Sequence, residues 1–247
     1  MRFLILSDIH ANLTALQAAI AAVEGRWDRA LCLGDVVGYG PDPNEALDLV
    51  RSLNPVMIRG NHDKAACGVT DASDFNPVAR TAAEWTTAQL RPENLTLLRE
   101  LPMGPVQVNS ITLVHGAVAD EDEYVFAPGQ ALDGLLESQS SVTFFGHTHF
   151  QGGFSYRGTQ LEVIQMKPLP GANFSALELE EGTRYLLNPG SIGQPRDGDP
   201  RAAFAIADMD HRVTEFWRVP YDVAAVQARM REAKLPEVLV QRLTFGR

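Results

Sequence analysis

The stretch "SVTFFGHTH", residues 141–149, sets a short apolar run, Val142 to Phe145, directly against a glycine and two histidines, His147 and His149. A run of that length, closed by a turn residue, has the pattern of a buried strand. The same arrangement recurs four times: "FLILS" is followed by Asp8 and His10, "ALCLG" by Asp35, "VMIRG" by Asn61 and His62, and "ITLV" by His115. Of the six histidines in the chain, only His211 lies elsewhere. Ligands of open α/β sheets bind outside the carboxyl ends of the strands, where the loops converge. These residues, separate in sequence, are therefore expected to meet in space.

Outward from these points the chain alternates strands and helices. A helix on Leu13, Leu16, Ile20 and Val23 separates the first strand from Ala30 to Leu33. "PDPNEAL" opens the next helix, with Asp42 as N-cap, Pro43 at its first position and Glu45 completing a capping box. Val56 to Ile58 forms a third strand, and residues 77 to 100 form a helical stretch that Pro92 splits. Strands with tight turns follow. Ala176 to Leu179 with Arg184 to Leu187, and Phe204 to Ala207 with Val213 to Trp217, read as hairpins of an antiparallel meander. Asp222 caps a helix carrying Val223, Val226 and Met230, and Pro236 starts a last one. The expectation is one α/β domain over residues 1–247, two packed sheets with helices outside, with 222–247 packed on it as a helical segment.

At 247 residues the chain has ample apolar content for a buried core. Its formal net charge of -10 argues against stable nucleic-acid binding, which needs surplus Lys and Arg. It leaves a phosphorylated substrate open, because divalent cations reverse the local sign of an acidic site. No run is long enough to span a membrane, and Cys32 and Cys67 form neither a disulfide framework nor a zinc motif. A reducing cytoplasm is the expected compartment.

Neutral imidazole and carboxylate ligands suit manganese, iron, zinc or nickel, and manganese is the expected ion. In a central carboxylate such as Asp35 each oxygen can face a different cation, which holds two metals about 3.5–4 Å apart. Gly34, Gly60 and Gly146, each preceding a candidate ligand, let the backbone turn there.

"DIH" (8–10), "GDVVGYG" (34–40), "GNHD" (60–63), "VHG" (114–116) and "GHTH" (146–149) resemble, in order and spacing, the five motifs of the calcineurin-like metallophosphoesterase superfamily. "NPGSIGQPRDGDP" (188–200) is similar to a later signature of its small bacterial branch of YfcE-like phosphodiesterases. The resemblance implies a four-layer αββα sandwich, two mixed β-sheets flanked by helices, with a dinuclear metal site at the strand ends. By that pattern Asp8, His10 and His149 hold one divalent ion, Asn61, His115 and His147 the second, and Asp35 bridges them. His62 matches the non-ligand histidine near the leaving group, with Asp63 a candidate to orient its ring and raise its pKa. The implied reaction is hydrolysis of a small phosphate ester or nucleotide by in-line attack of a bridging hydroxide, and the branch points to diesters.

The chain departs from the protein-phosphatase branch: Gly38-Tyr39 stands where "GDYVDRG" has Asp-Arg, and Asp63 where "GNHE" has Glu. A phosphomonoesterase or protein phosphatase is the alternative enzyme. A non-catalytic scaffold, like the retromer's phosphoesterase-like subunit, is the alternative outside enzymes, although that subunit lacks the leaving-group histidine which His62 supplies here. Asn12 either binds a substrate phosphate or caps the first helix. Arg196 either clamps a phosphate or pairs with Asp197 or Asp199. Asp120 to Glu123 reads as a solvated loop, Arg59 as structural, and Tyr39 and Tyr124 as pocket-lining candidates. Arg229, Arg231, Lys234 and Arg242 read as exposed helix faces, and Thr148 as a spacer. Oligomeric state is open.

Overall fold

The computed structural model describes residues 1–166, 168 and 171–247. Strands β1 (Arg2–Leu6), β2 (Arg29–Cys32) and β3 (Val56–Met57) run parallel, with helices α1 (Leu13–Ala22) and α2 (Pro43–Ser52) between them. Helices α3 (Asn61–Cys67), α4 (Pro77–Gln89) and α5 (Pro92–Glu100) follow, and Pro92 divides the last two as its missing N–H requires. Next come β4 (Val106–Val108), β5 (Ile111–Leu113), α6 (Pro128–Glu137), β6 (Val142–Phe144), β7 (Gly152–Arg157) and β8 (Gln160–Gln165). The chain closes with β9 (Phe174–Glu178), β10 (Arg184–Asn188), β11 (Ala202–Asp208), β12 (Val213–Val219), α7 (Val223–Glu232) and α8 (Glu237–Phe245).

The strands form two mixed sheets, in the orders β3-β2-β1-β11-β12-β9 and β4-β5-β6-β10-β7-β8. Period-two alternation along β1 explains how they stack. Phe3 and Ile5 enter the core between the sheets with Leu31, Leu113, Phe144 and Leu187. Leu4 and Leu6 point the other way, onto Leu16 of α1 and Leu47 of α2. Each such side chain, fully buried, contributes roughly 1.5–3 kcal/mol. Ala131 and Leu135 of α6 cover Phe154 and Leu186 on the far face of the second sheet, giving the fourth layer of an αββα sandwich. Helix α6 had no counterpart in the sequence reading, since the glycines Gly129 and Gly134 within it mask its apolar spacing.

Residues 176–179 and 184–187 do not form the expected hairpin: β9 pairs with β12 in one sheet while β10 pairs with β6 and β7 in the other. The turn at Glu181-Gly182 carries the chain between layers, which alternation alone does not distinguish from a hairpin. The β11–β12 hairpin forms as expected, with Phe204 opposite Trp217.

Asp42 stands at the N-cap of α2, but, contrary to the capping-box expectation, its side chain makes no capping hydrogen bond. Its carboxylate instead accepts from Arg229 of α7, Nε at 3.1 Å and Nη2 at 2.9 Å. Arg229 thus docks the C-terminal helices rather than lying on an exposed face, while Arg231 and Lys234 are exposed as expected and Arg242 is half-buried. Those helices pack Val226, Met230, Leu239 and Leu243 around Tyr39 and Ala82.

Asp42→Ala and Arg229→Ala are each expected to lower unfolding free energy with a coupling of about 0.5–1 kcal/mol between them. A double-mutant cycle in urea checks this; strict additivity sinks the ion-pair reading.

Candidate metal centre

Asp8 and His10 follow β1, Asp35 follows β2, Asn61 opens α3 after β3, His115 follows β5, and His147 and His149 follow β6. The loops meet at one edge of the sandwich, where all the Asp and His side chains are buried. Two groups of side chains offer ligand atoms within 4.8 Å of one another: Asp8, His10, Asp35 and His149, and Asp35, His115 and His147. Asp35 is common to both. Its Oδ1 accepts from the His62 N–H at 2.8 Å, while its buried Oδ2 accepts no hydrogen bond and stands 3.8 Å from His10 Nε2 and 3.5 Å from His115 Nε2. One oxygen therefore faces both groups, in place of one oxygen for each. Asn61 Oδ1 lies 3.3 Å from His115 Nε2.

The imidazoles are held in defined tautomers. A carbonyl only accepts, so the ring nitrogen facing it carries the proton. His10 Nδ1 faces Val37 O at 3.2 Å, His115 Nδ1 faces Leu33 O at 2.7 Å, and His149 Nδ1 faces Gln194 O at 2.6 Å. His147 is turned the other way, with Nε2 on Asp122 O at 3.1 Å. In each neutral ring the other nitrogen keeps a lone pair. The Nε2 atoms of His10 and His149 face each other at 3.0 Å, an arrangement that repels unless a cation or proton lies between them. Backbone carbonyls that orient imidazoles in this way are the usual outer partners of metal ligands.

Charge in the cluster is unbalanced. Burial keeps His10 and His149 neutral and takes His147 down to about 3. Burial opposes charge on His115 too, yet the carboxylate of Asp35 carries it up to about 10. Burial also works against ionised Asp8 and Asp35, but the surrounding imidazoles, the protonated His115 among them, hold both well below the usual carboxylate range. Two buried carboxylates are thus answered by one protonated imidazole. Divalent cations fit this donor set, because they satisfy Asp35 Oδ2 and separate the opposed lone pairs.

The model of the calcineurin-like phosphoesterase superfamily domain matches residues 1–212. The chain belongs to that superfamily. A metallophosphoesterase from Sphaerobacter thermophilus superposes with a TM-score of 0.85 at 42% identity, covering 100% of this chain and 99% of that one. An uncharacterized protein of Methanocaldococcus jannaschii is 32% identical over 98% of this chain and 97% of its own. A symmetrical bis(5'-nucleosyl)-tetraphosphatase of Pectobacterium carotovorum is 26% identical over 57% of this chain and 52% of its own length.

In this chain the loops of the candidate ligands are strained and braced. Asp8, His10, Asp35, His147 and His149 all have positive φ, between 47° and 65°. Such backbone costs roughly 1–3 kcal/mol per residue and persists only where neighbours enforce it. Asn188 Nδ2 donates to Gly146 O at 2.8 Å and to Thr148 Oγ1 at 3.0 Å, so Thr148 is an anchor and not merely a spacer. Ser191 Oγ donates to Asp8 O at 2.7 Å. The stretch 188–194 thus has a physical role: it holds the loops of Asp8, His147 and His149. Of the glycines before ligands, only Gly34 has positive φ. A Cβ at Gly60 would run into Asp35 Oδ1, and one at Gly146 into Ser7 Oγ, so those two serve close approach.

Asp63 does not orient His62. Its Oδ1 accepts from the N–H of Val36 at 2.9 Å and of Val37 at 3.1 Å, and its Oδ2 from Gly60 N–H at 3.1 Å. It ties the Asp35 loop to the Asn61 loop. His62 Nδ1 is buried without a partner, and the ring packs 4.3 Å from Tyr39 and 4.8 Å from Phe75, centroid to centroid. Burial takes His62 down to about 4, with the Arg196 charge adding to the effect against Asp35, contrary to the raised value expected from Asp63.

Asn12 is a cap. Its Oδ1 accepts from Ala15 N–H at 3.1 Å and its Nδ2 donates to Gly193 O at 3.0 Å, so of its two readings the cap is the one these contacts support. Arg196 makes neither expected ion pair, because Asp197 is held by Arg218 and Asp199 by Arg201. Its guanidinium lies 5.9 Å from the Tyr39 ring centroid, with Nε buried and unpartnered. The acidic run is solvated as expected at Asp120, Asp122 and Glu123 but is also anchored: Glu121 binds Arg59 and Lys64, both at 2.8 Å, and Asp122 binds Lys64 at 2.6 Å. That anchoring puts Asp122 O on His147 and stacks Tyr124 over the same ring at 3.8 Å. Lys64 was the missed residue; a lysine one turn into "GNHDK" with acids 57 and 58 positions away leaves no local signal.

Asp63→Ala is expected to destabilise the protein by roughly 2–5 kcal/mol, since it orphans three buried backbone donors. Asp63→Asn, which keeps an acceptor for the Val36 and Val37 amides, is expected to cost less. Urea unfolding of both compares them; equal losses contradict the clamp.

Proposed function

We propose that the chain is a metal-dependent phosphodiesterase of 247 residues acting as one domain, with two divalent ions, manganese first, as cofactors. Asp8, His10 and His149 are assigned to one ion, Asn61, His115 and His147 to the other, and Asp35 to both. The observation that carries the reading is the unpartnered Asp35 Oδ2 standing between the Nε2 atoms of His10 and His115, one from each ligand group. When bound, two such ions polarise phosphoryl oxygens and supply hydroxide near neutral pH.

The chain's own residues do the rest. Arg196 offers a guanidinium that no carboxylate neutralises, suited to two phosphoryl oxygens. His62 is neutral at pH 7 in the free protein, and an anionic phosphoryl group beside it raises its proton affinity. It is assigned to protonate the leaving oxygen. Burial of the ring among Tyr39 and Phe75 keeps competing water from it. Gly38-Tyr39 in place of an Asp-Arg pair removes one phosphate-gripping cation, which supports a singly charged diester over a doubly charged monoester. The relative named as a bis(5'-nucleosyl)-tetraphosphatase makes nucleotide esters a class to be assayed. Both cysteines are free and buried, consistent with the cytoplasm as the proposed compartment.

Asp35→Asn is expected to lose bound metal and nearly all activity, whereas His62→Ala keeps metal and loses about 10²–10⁴ in rate. Elemental analysis with kinetics on both variants checks this, and a His62→Ala enzyme as fast as the parent removes His62 from the mechanism. Bis(p-nitrophenyl) phosphate is expected to be cleaved faster than p-nitrophenyl phosphate; the reverse order in a parallel assay transfers the assignment to monoesters.

A further inference from the structure

The cavity beside the metal centre has a volume of about 310 Å³ and runs from Asn61, His62 and His147 outward to Asp71, Asp74 and Phe75. Its walls include three aromatic rings, Tyr39, Phe75 and Tyr124. Lys64 is the basic residue on its lining, and that ammonium is buried, 2.8 Å from Glu121 and 2.6 Å from Asp122. Asp71 and Asp74 are exposed, and Asp74 has no ion-pair partner among the described residues. Arg80 lies beside Asp71, donating to Ala72 O and Ser73 O, so Asp74 is the carboxylate left free at the outer end, next to the Phe75 ring, whereas the free guanidinium of Arg196 stands behind the buried Tyr39 at the inner end, where the phosphoryl group is assigned.

We propose that this cavity receives an ester arm bearing an ammonium group, as in a choline or ethanolamine phosphodiester, a reading that rests on the phosphodiesterase assignment above. Aromatic faces attract an alkylammonium through their quadrupoles, and a nearby carboxylate adds to that attraction. A polyphosphate arm meets the opposite situation: Asp71 and Asp74 repel it, and the lysine on the wall is already neutralised. Phe75 and the two aspartates are the specificity-determining residues.

The test uses manganese-loaded protein and two diesters of one shape, p-nitrophenyl phosphorylcholine and its carbon isostere p-nitrophenyl 3,3-dimethylbutyl phosphate. The choline ester is expected to have a kcat/KM roughly 2- to 30-fold higher. In the double variant Asp71→Asn/Asp74→Asn, whose amides keep the acceptor oxygens, and in Phe75→Leu, that ratio is expected to fall toward one. Equal kcat/KM on the two esters in the parent overturns the proposal, as does a higher kcat/KM on diadenosine tetraphosphate than on the choline ester. Cleavage of neither diester overturns the phosphodiesterase assignment instead. Calorimetry with phosphocholine and 3,3-dimethylbutyl phosphate then decides the cavity: tighter binding of phosphocholine supports it, and equal binding overturns it.

Discussion

The Nε2 atoms of His10 and His149, held 3.0 Å apart with both Nδ1–H groups committed to backbone carbonyls, are the contact on which the rest of the molecule depends. Two neutral imidazoles do not choose to meet lone pair to lone pair. They are forced together by loops whose positions are set elsewhere, and the buried carboxylates of Asp8 and Asp35 beside them add more negative charge than the one protonated imidazole, His115, answers. A protein that removes such groups from water without pairing them forfeits several kcal/mol per charge. Cation binding turns that liability into affinity, because ligand preorganisation has already been achieved by folding.

The scaffold has to bear this load. Five candidate ligands sit in left-handed backbone, and the braces come from distant parts of the chain: Asp63 joins the second and third loops, Asn188 and Ser191 hold the first and last, and Lys64 draws in the 120–124 loop. The two-sheet core lets strands with few residues, three in β5 and three in β6, hold these loops rigidly. The C-terminal helices extend the same logic, since α7 and α8 pack on Tyr39, which in turn packs on His10 and His62.

Much of this was legible before any coordinates. Apolar runs ending in Asp, Asn or His identify strand ends, and the strand-end rule gathers them at one edge; the loops of Asp8, His10, Asp35, Asn61, His115, His147 and His149 do converge there. Polar residues with two equally good local uses were not legible. Asn12 suits a cap or a phosphate, Asp42 a capping box or an ion pair, Asp63 a ring or an amide cluster. In each case the partner that decided lies on another element. Strand pairing failed for the same reason at 176–187, where a turn between sheets has the composition of a turn within one.

The order and chemistry of the ligand motifs, the strand and helix alternation, and the family itself are properties of the sequence, because apolar periodicity and residue type act locally and repeat along the chain. Tautomers, the shared Asp35 oxygen, the bond from Asn12 to Gly193 and the capture of the acidic loop by Lys64 were decided only in the tertiary structure. A side chain's hydrogen-bond partner is whichever group folding brings within about 3 Å of it, and for these residues that group comes from a distant segment.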